Sequence, residues 1–548
     1  MARTPNKQSS DKVNKQRSGK ASKKATKKKG KKTQKSIQKK RSTKSRKGAQ
    51  NKKTVMARSP RSKPISQTLK IAVTLPRPID GLGPVRMATR MTTQAAHHFI
   101  PEQQTIDNAL HELERLGFTI TGKGQLTFSV RGSRSNFEKV FGTKLSKYKV
   151  ENQPEGFCAV DSFYFPKPGA PWKPAAKLKS LIDDAYIQWP HIYMNDLFPS
   201  RDPSPIPPRV NYHHLRVPGD VNLLLNVPKI HREGGSGVGV RVAMIDSGFA
   251  HGHAYFERMG YNTSTVLAPG ATDADLDGNS HGTGESANLL AIAPDVNFIG
   301  VKLDNETDPN NGATVLEGFQ EAMRHSPQVI SVSLGFDLAD RPSGKHLTSL
   351  PNSLVALEAE IEAAVANGVV VVFAAGNGHV AFPGMMPDVI SAGGVYVHED
   401  GAMRASDYAS AFASKIYPGR HVPDFCGLVG LADNHADYIM LPIQEQSEID
   451  VGNSAHDGTS SGDGWGVFSG TSAAAPQLAG VCALLLERNP GLTPVEVKEL
   501  LRLTSIDVTT GNANPASNHN GGGLPAGIGP DSATGMGLVD AHAAWKMV

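Results

Sequence analysis

GVFSGTSAAAPQLAG, residues 466 to 480, sets a serine where an irregular segment turns into a helix. Ser472 follows Gly470 and Thr471 and precedes Ala473, Ala474, Ala475 and Pro476. A proline fits a helix best in its first turn, where the missing N–H would have no partner anyway, so the helix is expected to open close to Ser472. The small residues let another chain approach that end. A hydroxyl there lies beside free backbone N–H groups, which favour developing negative charge. That suits an attacking serine with an oxyanion site. An isolated serine in such a place is ordinarily a plain N-cap, so the reading depends on a base and its orienting acid appearing elsewhere.

Outward from this stretch, strands and helices alternate from Gly237 onward. VRVAMI, NFIGVKL, QVISVSL and VVVVFAA are apolar runs of the doubly buried, parallel kind. TVLEGFQEAMRH, LVALEAEIEAAVANG, AAPQLAGVCALLLER and TPVEVKELLRL carry helical patterns between them, the last with a Thr493/Glu496 capping box. The order predicts an α/β fold, a doubly wound parallel sheet with active groups beyond the carboxyl ends of its strands. GSGVGVRV is glycine-rich, but its glycines precede a strand, whereas a dinucleotide loop needs them after one.

Asp246 ends VRVAMIDSG, His281 opens HGTGESANLLAIAPD, and Asn377 follows VVVVFAAG. Taken singly, each is more often a turn or cap residue. Together with Ser472 they permit serine attack, a histidine base oriented by a carboxylate, and an amide donor to an oxyanion.

VAMIDSG, HGT, AAGN and SGTSAAAP, in this order, resemble the four signatures of subtilisin-like serine proteases. The resemblance runs from about Val221 to the C-terminus and takes in SVSLG, FPGMMPDVISAGGV and TGMGLVDAHAAW. It implies a triad of Asp246, His281 and Ser472, and an oxyanion hole of Asn377 with the Ser472 N–H. It also implies that Ser333, Leu334 and Gly335 pair with an extended substrate. Ala374, Gly376, Ala381 and Gly384 match positions around the primary pocket; all are small and uncharged, which suits large apolar side chains.

Residues 70–150 follow a β-α-β…α-β order, which predicts a small ferredoxin-like α+β unit. Residues 70–190, through GFTITGKGQLTFSVRGSRSNFEKVFGTKLSKY, resemble the activation prodomain of kumamolisin-type (sedolisin) proteases. Sedolisins use a glutamate base and an aspartate oxyanion group. His281 and Asn377 stand here instead, so the prodomain's role is carried over and the chemistry follows the subtilisins. The expected organisation is a disordered Lys/Arg-rich tail (1–65), a prodomain (66–190), a Pro-rich linker (191–220) and a peptidase domain (221–548). One short helix is expected near 176–188. An insertion from Cys426 to about Trp465 reads as a specificity loop or lid. Its acids, Asp457 and Asp463 among them, read as a solvated loop; calcium is an alternative occupant that is left unassigned, and no cofactor is expected.

Of 59 Lys and Arg residues, 25 lie in residues 1–65 with one acid, Asp11. The tail therefore carries a formal charge of +24 and the remainder −16, within the net +8. So few apolar residues cannot form a core. The tail reads as an electrostatic arm for nucleic acid or another anionic surface, without the aromatic residues that would stack single strands. No apolar run is long enough to span a membrane and no signal-peptide core stands near Met1, which favours a cytoplasmic location. Cys158, Cys426 and Cys482 form neither a zinc spacing nor a disulfide framework.

The expected function is a serine endopeptidase acting on protein or peptide substrates and made as a precursor with its own prodomain. Two rivals use the same residues: a catalytically silent binding protein guided by the tail to an anionic partner, and an esterase. Deletion of residues 1–65 should leave peptide hydrolysis intact and abolish retention on heparin at low salt. Retention of the full chain should weaken steeply as salt rises, through counterion release. Full-length protein that flows through at low salt reduces the tail to a solvated extension.

Overall fold

TLKIAVT, Thr68–Thr74 (β1), buries Leu69, Ile71, Ala72 and Val73. It is one of the two inner strands of a four-stranded antiparallel sheet with Thr119–Lys123 (β2), Thr127–Ser133 (β3) and Asp184–Ile187 (β4), ordered β2-β3-β1-β4. The helices Gln103–Arg115 (α1) and Arg134–Val140 (α2) close one core with this sheet: Leu110, Leu113 and Phe137 lie against Ile71, Val73, Phe128 and Val130. The helix expected near 176–188 is instead a turn of 3-10 helix, Leu178–Ser180, followed by β4. Pairing of Val73 with Ala185 and of Ile71 with Ile187 decides this, a long-range match that local helix propensity cannot register. The strand β2 is also absent from the sequence reading.

In the computed structural model the described residues are 68–76, 100–149, 162–193 without 168, and 206–548 without 211, 341–344, 433–437, 453–456 and 517–522. The basic tail, 1–65, lies outside them. Ile192–Tyr193 (β5) precedes the main sheet. That sheet has eight strands: Arg241–Asp246 (β6), Thr263–Leu267 (β7), Asn297–Lys302 (β8), Val329–Val332 (β9), Val370–Ala374 (β11), Ile390–Val397 (β12), Met403–Ala405 (β13) and Phe425–Leu428 (β14). The strand Leu334–Asp337 (β10) leaves its rim. The order is β7-β8-β6-β9-β11-β12-β13 with β14 also on β12; only β13 runs antiparallel.

Helices cover both faces, which is why the central strands are mostly apolar on both sides, as in VVVFA of β11. Val242 and Met244 of β6 face one core with His281–Ile292 (α3) and Thr471–Arg488 (α6). Ala243 and Ile245 face the other with Val315–Arg324 (α4) and Val355–Ala366 (α5). The helix Pro494–Thr504 (α7) begins with the expected capping box, Thr493 with Glu496. The insertion builds its own sheet: Ile439–Pro442 pairs antiparallel with Trp465–Phe468 and parallel with Leu215–Arg216.

The hairpin of β2 and β3 docks on α4 and α5 through buried polar groups. Glu360 accepts hydrogen bonds from the Gln125 and Leu126 N–H groups, both at 3.1 Å, and from Thr127 Oγ1 at 2.8 Å. Gln320 meets Ser129 Oγ at 2.7 Å, and Glu317 accepts from Thr121 Oγ1 at 2.5 Å and pairs with Arg131 at 3.4 Å. Glu360 is 3% exposed, so truncating it strands three donors out of water. Glu360→Ala in an uncut chain should cost about 2–3 kcal/mol and lower the melting temperature by several degrees. Differential scanning calorimetry checks this; an unchanged melt would mean water replaces the carboxylate without loss.

Candidate active site

Three strand ends and two helix starts converge at the carboxyl edge of the main sheet. β6 ends in Asp246, and the next residue grips the helix that carries the histidine. Ser247 Oγ accepts from Gly282 N–H at 3.0 Å and donates to Asp277 at 2.9 Å. Asp277, fully buried, accepts from Thr283 N and Oγ1 (2.9 and 2.6 Å) and Ser280 N (3.0 Å), so it caps α3 and fixes His281 at its first position. Lys302, at the end of β8, holds the loop before Asp277: its buried ammonium donates to the carbonyls of Asp273 (2.8 Å) and Leu276 and to Glu306. Gly282 permits the approach, since a Cβ there would meet Asp246 Cβ at 2.8 Å.

His281 Nδ1 and Asp246 Oδ1 lie 2.6 Å apart, with neither side chain exposed. Asp246 Oδ1 also accepts from Ser247 N–H at 2.7 Å. A carboxylate only accepts, so Nδ1 carries the proton and Nε2 is the basic nitrogen. Burial opposes the imidazolium, but the charge and hydrogen bond of Asp246, reinforced by Glu285 and Asp277, outweigh it and push the His281 pKa up to about 9.

α6 begins at Thr471, earlier than Pro476 suggests, so the proline sits in the second turn. Without an N–H it leaves the Ser472 carbonyl free of its helical partner. Ser333 Oγ supplies the replacement, donating to that carbonyl at 2.8 Å. Ser472 Oγ in turn donates to the Ser333 carbonyl at 3.2 Å. The proline therefore locks the serine's turn to the strand beside it. Gly470 caps the helix at φ 134°, a conformation that a side chain would resist. Asn377 is oriented by the same turn: its Oδ1 accepts from Thr471 N at 2.9 Å and Thr471 Oγ1 at 3.1 Å, while Gly376 N–H donates to Thr471 Oγ1 at 3.0 Å. With the amide oxygen held by a backbone donor, the nitrogen end turns away from Thr471, the orientation an oxyanion donor needs.

Leu334 and Gly335 pair antiparallel with Tyr193 and Ile192 of β5, so a segment from upstream in the chain occupies the strand expected to hold substrate. That segment runs from Gly335 towards Ser333, the residue tied to Ser472. Ala381 pairs with Asp337 on the other edge of β10. Ala374 and Ala381 are buried, and Gly376 and Gly384 stand against them: added Cβ atoms would meet Ala381 Cβ at 3.0 Å and the Ala374 carbonyl at 2.6 Å. Asp457 Oδ1 accepts from Thr459 N and Oγ1 (2.9 and 2.6 Å), and Asp463 accepts from Trp465 N (3.1 Å) and Ser460 N (3.3 Å), all within their own loop. Among the described residues no group of three or more His, Cys, Asp or Glu side chains is placed to hold a metal ion. Sequence reasoning missed Ser247, Asp277, Thr471 and Glu285. Ser247, Thr471 and Glu285 lie inside the quoted motifs as apparent spacers, and the DLDG turn around Asp277 gives no periodic signal.

These features place the chain in a known class. The chain belongs to the Subtilase family, whose family model matches residues 237–537. It is similar to subtilisin E of Bacillus subtilis (strain 168), 26% identical over 297 residues, covering 51% of this chain and 64% of that protein. Serine protease AprX of the same strain is 28% identical over 293 residues, covering 49% and 61%. The chain thus spans less than two thirds of the length of these relatives. Among solved structures, fervidolysin from Fervidobacterium pennivorans, described as a keratinolytic enzyme related to subtilisin, matches with a TM-score of 0.50 at 18% identity over 87% of this chain and 61% of that one. The fold is the subtilisin-like α/β fold.

The raised His281 pKa has a definite sign for any reaction that uses the imidazole as a base. The neutral form is present above the pKa and is lost as pH falls through it. The acid limb of kcat/KM on a chromogenic peptide should therefore lie above pH 7, displaced upward from the roughly 6–7 of an ordinary histidine. An optimum near pH 4 would remove His281 from the role of base.

Proposed function

We propose that the chain is a serine endopeptidase made as a precursor. Ser472 attacks the substrate carbonyl, His281 Nε2 takes its proton and returns it to the leaving amine, and Asp246 holds the imidazole and supports its positive form. Asn377 Nδ2 and the Ser472 N–H receive the oxyanion. The observation that carries this reading is the buried 2.6 Å His281–Asp246 contact, together with a helix start where Thr471 holds Asn377 and Ser333 holds Ser472. Ala374, Gly376, Ala381 and Gly384 would form a primary pocket for large apolar side chains. A catalytically silent binding protein finds no support in a site this complete. Calcium plays no part in this reading, and a polyanion partner for the tail rests on its charge alone.

Residues 66–190 are proposed as an inhibitory and folding prodomain, ferredoxin-like and of the kumamolisin type. Supporting this are the sequence resemblance, the β2-β3-β1-β4 order with two helices, and the docking of its hairpin on α4 and α5. The segment after it, through Ile192 and Tyr193, lies on the substrate strand and heads for Ser472. The first cut should therefore fall shortly after Tyr193.

Purified wild-type protein should shorten itself to a fragment whose N-terminus lies within a few residues after Tyr193. Ser472→Ala should stay full length and folded. Asn377→Ala should process slowly, because losing one oxyanion donor raises the barrier by about 3–4 kcal/mol. Intact-mass spectrometry with circular dichroism reads out all three. Cutting of Ser472→Ala at the wild-type rate would point to another protease. A wild type that stays uncut and also spares unfolded casein would overturn the endopeptidase reading.

A further inference from the structure

One buried acid in the active centre has no part in a three-residue relay. Glu285 lies one turn after His281 on the same helix, α3, and is completely buried. Its Oε2 accepts from Asn288 Nδ2 at 3.0 Å, while its Oε1 has no hydrogen-bond partner. Asn288 Oδ1 accepts from Gln477 Nε2 at 3.2 Å, and Gln477 bonds both the N–H (2.7 Å) and the carbonyl (3.1 Å) of Leu428 on β14. Two amides thus connect this carboxyl to α6, the helix of Ser472. Asp246 Oδ2, in the same centre, is likewise buried without a partner.

A carboxylate with one bare oxygen in a sealed core is costly unless a positive charge stands near it. The titratable groups that face Glu285 are His281 on its own helix and Asp246 on β6. Asp246 opposes its ionisation, and only an imidazolium at His281 favours it. Burial pushes the Glu285 pKa up to about 8, with His281 pulling down, Asp246 pushing up and the Asn288 bond pulling down. The negative form of Glu285 and the positive form of His281 therefore stabilise each other.

We propose that Glu285 is a positioning residue for the proton transfer, acting on His281 through the field of its carboxyl, so that it sets the pH at which the imidazole becomes free to accept the Ser472 proton. This rests on the endopeptidase reading above. The sign follows from the coupling. Whenever Glu285 can ionise beside an imidazolium, the imidazolium persists to higher pH than it would beside a neutral group. A neutral replacement can only move the acid limb down.

Glu285→Gln is the direct test, because its amide oxygen still accepts from Asn288 and the ladder to α6 stays intact while the charge is lost. In the full chain, the midpoint of the acid limb of kcat/KM should fall by about 0.5–1 pH unit, the size expected of one nearby opposite charge. Glu285→Asp, which keeps a carboxyl, should stay nearer the wild-type midpoint. If Glu285→Gln lowers kcat or the melting temperature but leaves the midpoint within about 0.2 unit, Glu285 is structural and the proposal fails. If Glu285→Gln does not fold, Glu285→Leu answers the same question. A wild type without activity at any pH would sink the endopeptidase reading and not this one. The His281 imidazole titration, followed by NMR in a Ser472→Ala chain with and without Glu285→Gln, then decides: a lower His281 midpoint supports the coupling, and an unmoved one ends it.

Discussion

The Asp246–His281 contact requires that a strand end and a helix start meet more closely than side chains normally permit, in a place closed to water. Three features satisfy that requirement together. Gly282 removes the Cβ that would strike Asp246, Ser247 binds the Gly282 N–H, and Asp277 satisfies the next N–H of α3, that of Thr283. Because these partners are all buried, the helix has no solvated alternative for its first turn, and His281 is held where its Nδ1–H meets Asp246. The surrounding sheet exists, in this sense, to bring β6 and α3 to one edge.

The serine is fixed by a different device. A proline in the second turn of α6 breaks the helical ladder at the Ser472 carbonyl, and Ser333 repairs it. The repair couples Ser472 to β10, whose Leu334 and Gly335 take an extended partner. Whatever chain lies along β10 is thereby aligned to Ser472 through one residue, with no intervening flexible segment. Here that partner is the chain's own Ile192–Tyr193, so on the proposed precursor reading one geometry would serve both self-inhibition and self-cleavage.

Much of this was legible in the sequence, and the parts that were not share a cause. The apolar runs of β6, β8, β9 and β11 show because both faces are buried, and the motifs around Asp246, His281, Asn377 and Ser472 show because a site needs small residues near it. The Thr493/Glu496 box is a purely local signal, and it appears as expected. Strand β4 was hidden because its identity depends on β1, more than a hundred residues earlier. Pro476 was placed a turn too early because the compensating Ser333 is 139 residues away. Glu285 gives no signal of its own in the sequence, since its link to α6 runs through Asn288 and Gln477, 189 residues apart.

The interface between the N-terminal sheet and α4 and α5 differs in kind from the cores on either side of it. Glu317, Gln320 and Glu360 are buried and take hydrogen bonds from the hairpin of β2 and β3. An apolar surface of that extent would leave an exposed patch, prone to association, once the hairpin departed. Charged and amide groups can be taken over by water instead, so separation exchanges protein hydrogen bonds for solvent ones at a small net change in free energy. The specificity of docking survives this exchange, because Glu317, Gln320 and Glu360 each face a donor on the hairpin, and a displaced register would strand several of them at once. If the N-terminal unit is the proposed prodomain, an interface built this way would guide assembly of a slow, mostly parallel sheet and still release its partner once the connecting chain is cut.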